Sequence, residues 1–95
     1  MPFGNMVTAS TLGAAGAYKE NEKIRVGFIG VGLRGLDLLK DFLEIPGVEV
    51  VALCDVYAKA LENAMAICGG KPKPYRDYRE LLARKDVDAV VIATL

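Results

Sequence analysis

The 95-residue chain contains no histidine, and its only cysteines, Cys54 and Cys68, do not form a C-x-x-C pair. A metal centre built on imidazole and thiolate ligands is therefore close to excluded. The two thiols read as small core residues, Cys54 at a buried strand end and Cys68 on a helix face. A disulfide requires that the fold bring them within reach, and nothing in the sequence demands it. An excess of either charge is also missing, since 12 Lys and Arg balance 12 Asp and Glu. With no basic cluster, nucleic-acid binding is not the main role. Lys71-Pro72-Lys73-Pro74 is the nearest approach to one, and two lysines read more simply as a solvated loop. No apolar run reaches the roughly 18–20 residues that a membrane-spanning helix needs.

Charge is also absent from residues 1–18, a stretch of small, weakly apolar residues with no period that would bury it. Residues 1–22 are expected to form a flexible leader. Ala15-Gly16-Ala17 resembles an export-signal cleavage site, although no basic segment or twin arginine precedes it. Two readings stay open: a plain leader on a cytoplasmic protein, or a truncated export signal on a periplasmic one. The length allows at most one small domain, or part of a larger one.

What is present begins at Lys23. The apolar, β-branched run Ile24–Ile29 breaks directly into Gly30-Val31-Gly32-Leu33-Arg34-Gly35. A G-x-G-x-x-G turn leaving a strand and entering a helix is the arrangement that holds a dinucleotide pyrophosphate. The first glycine permits the tight turn, the second lets backbone approach the phosphates, and the third lets helix and strand pack closely. The N–H groups at the helix start then face the anion, helped by the positive end of the helix dipole.

The following segment is an amphipathic helix. Leu36, Leu39 and Phe42/Leu43 share one face, with Leu38 on the flank, while Asp37, Lys40, Asp41 and Glu44 lie opposite. Ile45-Pro46-Gly47 ends it. Val48–Cys54 is a mostly apolar run typical of a parallel strand buried on both faces. It terminates in Asp55, about 20 residues beyond Gly35, where a carboxylate accepts hydrogen bonds from the adenosine ribose. Capping of the next helix is the plainer role for Asp55, but the glycine turn at the expected distance favours the ribose. A carboxylate there repels a 2′-phosphate, and Lys59 is the first cation to follow, so NAD is expected rather than NADP.

A second helix spans Tyr57 to Cys68, stopped by Gly69-Gly70. Two prolines keep Lys71–Tyr75 extended, enough for a very short edge strand near Tyr75. Asp77 begins a third helix with Glu80 completing a D-x-x-E capping box, and Leu81 and Leu82 supply its apolar contact. Ala89–Thr94 is a last β run. The alternation of strands and helices predicts an α/β Rossmann-type parallel sheet, strands in the order 3-2-1-4, with right-handed crossovers. Gly30 and Thr94 then face one another across the ligand crevice, where Thr94 either donates to the cofactor or caps its own strand end. The last strand is left without its usual outer neighbours, an exposed apolar edge.

The segments IRVGFIGVGLRG (24–35), IPGVEVVALCDVY (45–57) and YRDYRELLARKDVDAVVIAT (75–94) closely resemble the amino-terminal domain of the glucose–fructose oxidoreductase/inositol dehydrogenase (Gfo/Idh/MocA) family. The likeness covers residues 23–94. It implies a Rossmann domain binding NAD or NADP, followed by an α/β domain that carries the sugar or polyol substrate, the catalytic residues and any homo-oligomer interface. Within the family, the G-L-R-G turn and the IPGVE…CDVY stretch look like the NAD-dependent glycoside hydrolases of the α-N-acetylgalactosaminidase type. In those, transient oxidation of the sugar is followed by elimination and re-reduction. That likeness implies cofactor contacts at Leu33, Arg34 and Asp55; Arg34 is otherwise an exposed first-turn residue, though a cation beside a pyrophosphate is electrostatically apt.

Leu95 stands where the family has proline, so residues 23–95 are expected to be the N-terminal part of the dinucleotide-binding domain. The expected cofactor contacts are Gly30, Gly32, Leu33, Arg34, Gly35, Asp55 and Thr94, with no catalytic residue and no metal ligand in the segment. An S-adenosylmethionine methyltransferase also places glycines after its first strand and an acid after its second, but the segments beyond Asp55 fit it poorly. A non-enzymatic nucleotide-binding module is the remaining alternative.

Overall fold

The computed structural model describes residues 6–7 and 23–93. Five strands form one all-parallel sheet: β1 (Met6–Val7), β2 (Ile24–Ile29), β3 (Val48–Cys54), β4 (Lys73–Tyr75) and β5 (Ala89–Ile92). Their order is β1-β5-β2-β3-β4. Omitting β1, this is the 3-2-1-4 order expected of the four strands after residue 22. Among the described residues there are three helices: α1 (Leu33–Leu43), α2 (Ala58–Ile67) and α3 (Tyr78–Leu82).

The fold departs from expectation at its outer edge. Residues 6–7, read as part of a leader with no element, pair with β5 in the register Met6↔Val90 and Val7↔Val91. The backbone of β5 on that side is thus engaged over two residues, where the sequence suggests a bare edge.

The helices take their faces from the direction in which the chain moves along the sheet. α1 and α2 carry it from β2 to β3 to β4, and right-handed crossovers place both on one face. α3 carries it back past β2 to β5, and the same handedness puts it on the other. The first face packs Ile24, Val26, Phe28, Val50, Leu53 and Val91 against Leu39 and Phe42 of α1, and Leu61 and Ala64 of α2. Phe28 and Phe42 meet edge to face at 5.1 Å between ring centroids, a geometry aromatic quadrupoles favour. Of the alternative pair Phe42/Leu43, Phe42 takes the core and Leu43 turns outward.

The second face is smaller: Ala52, Cys54 and Val90 under Leu81 of α3, with Val87 closing the end. Gly27 makes room there, since a Cβ on it would lie 2.9 Å from a Leu81 methyl. Cys54 and Cys68 are buried, unbridged, and belong to clusters on opposite faces of the sheet.

Chain punctuation follows the sequence closely. At the end of α2, Gly70 N–H donates to Met65 O at 2.9 Å and Gly69 N–H to Ala66 O at 3.1 Å. This is the Schellman pair, with Gly69 at φ 67°. Asp77 caps α3 by accepting from the Arg79 N–H at 2.9 Å. The capping box takes a different form from the expected one. The Arg79 guanidinium donates to the Asp77 carboxylate at 3.1 and 2.9 Å, in place of the reciprocal bond in which the Glu80 carboxylate would accept the Asp77 N–H.

One irregularity lies inside the sheet. Val26 pairs with Val50, but Gly27 pairs with Ala52, so Val51 is an extra residue in β3. A bulge of this kind releases a carbonyl from the ladder. Here Arg84 Nη1 donates to Val51 O at 2.9 Å, while Nε and Nη2 of the same guanidinium donate to Asp86 at 2.8 and 2.5 Å.

Candidate cofactor site

The carboxyl ends of β2, β3 and β4 open together onto a cavity of about 440 Å³, lined among others by Gly30, Gly32, Leu33, Arg34, Asp55 and Arg76. Each glycine of the turn does a different job. Gly30 has φ 93°, a left-handed conformation that a side chain would strain. Gly32 has nothing within 4 Å of where a Cβ would stand, so its backbone faces open space. A Cβ on Gly35 would run into the carbonyl oxygen of Gly30 and come within 2.8 Å of its carbon. That close approach is what lets α1 start directly above β2.

α1 begins without a side-chain cap and without an acidic residue in its first turn. Its first internal bond is Leu36 N–H to Gly32 O at 2.6 Å. The preceding amides of Leu33, Arg34 and Gly35 are therefore the orphan donors of the helix start. They sit at the positive end of an eleven-residue helix, beside the space over Gly32. An anion of diphosphate size is the complement of that surface. Leu33 is 90% exposed, so its apolar side chain contributes to the cavity mouth and not to the core.

Asp55 ties the glycine turn to β3. Its Oδ2 accepts the Val31 N–H at 2.9 Å, and its Oδ1 accepts the Tyr57 N–H at 2.9 Å. Beside this, Gly30 N–H donates to Cys54 O, also at 2.9 Å. The plain alternative of helix capping takes a specific form: α2 is capped at Tyr57 with no side-chain bond, and Asp55 forms an Asx turn just before it. Each carboxylate oxygen keeps a second acceptor lone pair for a ligand hydroxyl.

Ile29, Val56, Tyr57 and Tyr78 give the remaining walls an apolar character suited to a purine. Ala93 closes the far side, anchored by its N–H to Ile29 O at 2.9 Å. Of the expected contacts, Gly30, Gly32, Leu33, Arg34 and Asp55 all line this one cavity, with Gly35 packed directly beneath it. Thr94 lies outside the described residues. Reasoning along the chain missed Arg76, which β4 delivers to the same cavity; the only signal for it is the pairing of β4 with β3.

Cys54 also borders the cavity. Burial first, and then the nearby carboxylates of Asp55, Asp77 and Glu80, push its thiol pKa up. That shift favours the neutral thiol. No group of three or more potential metal ligands occurs among the described residues, and no helix among them is long and apolar enough to cross a membrane.

Residues 24–95 match the profile described as the oxidoreductase family with an NAD-binding Rossmann fold, Gfo/Idh/MocA. The chain belongs to this family. It is 42% identical over 86 residues to a glycosyl hydrolase family 109 protein from Saccharopolyspora erythraea, an alignment covering 82% of this chain and 19% of the relative. A glycosyl hydrolase family 109 protein from a Shewanella species is 41% identical over 81 residues, covering 77% and 18%.

Among solved structures, myo-inositol dehydrogenase from Lactobacillus casei, in complex with NAD(H) and myo-inositol, superposes with a TM-score of 0.72. It is 32% identical, and the match covers 77% of this chain and 22% of the dehydrogenase. The WlbA dehydrogenase from Bordetella pertussis, in complex with NADH and UDP-GlcNAcA, has a TM-score of 0.69 at 29% identity, covering 81% and 23%. The chain thus spans about one fifth of the length of the relatives it matches.

Proposed function

We propose that this chain forms the adenosine- and diphosphate-binding part of a nicotinamide-dependent enzyme that acts on a sugar or polyol by hydride transfer. One observation carries the reading. The uncapped start of α1, the open space over Gly32 and the Asp55 carboxylate converge on a single cavity. Gly30, Gly32 and the amides of Leu33, Arg34 and Gly35 would hold the diphosphate, and Arg34 adds a positive charge beside it. Asp55 would take the ribose hydroxyls, and Thr94 would contribute from the end of the last strand.

When bound, the nicotinamide accepts or returns the hydride; the residues of this chain bind and orient the nucleotide and supply no acid or base to the reaction. The substrate site and any contact between subunits would lie outside this chain, which covers 19% of the first relative's length. NAD is preferred over NADP because the Asp55 carboxylate stands where a 2′-phosphate would arrive. The protein works in the cytoplasm, or in the periplasm if residues 1–22 belong to an export signal.

A second reading keeps the same site and changes the reaction. The two similar relatives reported above are named glycosyl hydrolase family 109 proteins, which favours a glycosidase that recycles its NAD. Turnover on glycosides with no net change in NADH absorbance supports the glycosidase; stoichiometric NADH formation from a free sugar or polyol supports the dehydrogenase. Saturable NAD(H) binding with no turnover of any sugar leaves a nucleotide-binding module. For the binding site itself, the test is the double variant Gly32→Val, Asp55→Ala of the protein in its natural length. It is expected to lose NAD(H) retention, and unchanged retention defeats the proposal.

A further inference from the structure

The register between β3 and β4 brings together two residues that are far apart in sequence. Cys54 and Tyr75 are paired as the last residues of their strands, and Asp55 N–H donates to Tyr75 O at 3.2 Å. The next residue of each strand, Asp55 and Arg76, therefore enters adjacent loops at the same end of the sheet. Arg76 Nη2 donates to the carbonyl of Val56 at 2.6 Å, which anchors the guanidinium against the residue that follows Asp55. Both side chains border the same cavity.

We infer that Arg76 is a specificity-determining residue for the cofactor: it supplies the cation that lets this site accept a 2′-phosphorylated dinucleotide despite Asp55. The inference rests on the reading of the cavity as a dinucleotide site. A ribose held by Asp55 places its 2′ position at the mouth of the loop that Arg76 borders. A guanidinium carries five N–H donors in a flat fork that matches phosphate oxygens, and the bond to Val56 uses one of them. Asp55, in turn, already accepts an N–H on each oxygen, which offsets part of the field that an incoming phosphate meets. The other cation of the cavity, Arg34, starts α1 on the side of the glycine turn, placed for the diphosphate. The site therefore holds one cation for each anionic group of NADP. NAD is preferred, and Arg76 sets how far.

The test measures equilibrium binding of NAD+ and NADP+, with adenosine 2′,5′-bisphosphate against ADP as probes free of nicotinamide, on the protein in its natural length. Arg76→Gln is expected to lower affinity for NADP+ and the bisphosphate about tenfold, the scale of one charge-assisted contact. Affinities for NAD+ and ADP should change less than about threefold, and Arg76→Lys should recover part of the loss. Arg34→Gln should weaken NAD+ and NADP+ alike. Equal loss of NAD+ and NADP+ in Arg76→Gln means that Arg76 serves the adenine or the loop, and overturns the inference. So does no loss at all, or discrimination that follows Arg34 instead. Failure of the parent protein to bind either dinucleotide sinks the dinucleotide reading itself, and this inference with it.

Discussion

The Asp55 carboxylate accepts the backbone N–H of Val31, 24 residues away in sequence, at 2.9 Å. One side chain thus joins the strand end that would hold the ribose to the turn that would hold the diphosphate. Val31 is buried at 1% exposure, and its N–H lies in a partly buried bond, so losing that acceptor removes a partner that fixes the turn.

Asp55 should therefore show two separable effects. Asp55→Ala leaves the Val31 N–H without its acceptor and is expected to cost about 1–3 kcal/mol of stability, together with most of the dinucleotide affinity. Asp55→Asn keeps an oxygen for Val31 but turns its amide nitrogen toward the Tyr57 N–H, so it should melt between Asp55→Ala and the parent, yet lose affinity because the charge that would face the ribose hydroxyls is gone. Thermal melts paired with NAD+ titrations distinguish the two. Equal destabilisation by both variants would show that the charge, and not the acceptor, holds the turn.

Gly32 and Gly35 should divide in the opposite sense. A methyl on Gly35 collides with backbone at Gly30, and backbone cannot step aside as a flexible side chain can. Gly35→Ala is expected to cost about 1–3 kcal/mol or to abolish folding. Gly32→Ala meets nothing within 4 Å and should leave the melt nearly unchanged while obstructing the approach of a diphosphate. If Gly32→Ala binds NAD+ as tightly as the parent does, the anion does not sit over Gly32.

The features that could be read along the chain are those encoded by short spacing. The glycine turn, the acid about 20 residues on and the alternation of apolar runs all lie within one or two elements. They yield the strand order and most of the cavity. What could not be read depends on which strands end up adjacent. Arg76 looks like a loop cation until β4 is paired with β3. Arg84 looks like a helix-end charge until the bulge at Val51 presents a carbonyl to it. Gly27 reads as an indifferent strand residue until Leu81 comes down on it from α3. Phe42 and Leu43 were interchangeable by periodicity, and the ring of Phe28 is what selects Phe42.

The bulge gives the third prediction. Val51 O is an acceptor released from the β2–β3 ladder, and Arg84 is its donor while Asp86 holds the guanidinium in place. Arg84→Leu keeps the packing of the stem but removes all three hydrogen bonds of the guanidinium, and is expected to destabilise by about 1–2 kcal/mol. Asp86→Asn retains a hydrogen-bond acceptor and should cost less. Hydrogen exchange at the β3 amides should rise in Arg84→Leu; unchanged exchange and an unchanged melt would mean that water replaces Arg84 without loss.

Acid should loosen α3 before it loosens the rest of the sheet. The side-chain hydrogen bond from Arg79 and then the Arg79 backbone N–H hold the Asp77 carboxyl below the ordinary aspartate value of 3.8. A depressed folded value means that the stability Asp77 contributes is fully present above about 3.8 and is lost as the pH falls through the lower, folded value. Protonation there removes the acceptor of the α3 cap, so Leu81, the only buried side chain of this five-residue helix, loses its hold on Gly27 and Val90. Carboxyl-carbon NMR should place the Asp77 titration below the ordinary aspartate value of 3.8, and Arg79→Gln should move it upward. An Asp77 midpoint that Arg79→Gln leaves in place would mean that the guanidinium contact does not persist in solution. The cap would then rest on the backbone bond alone.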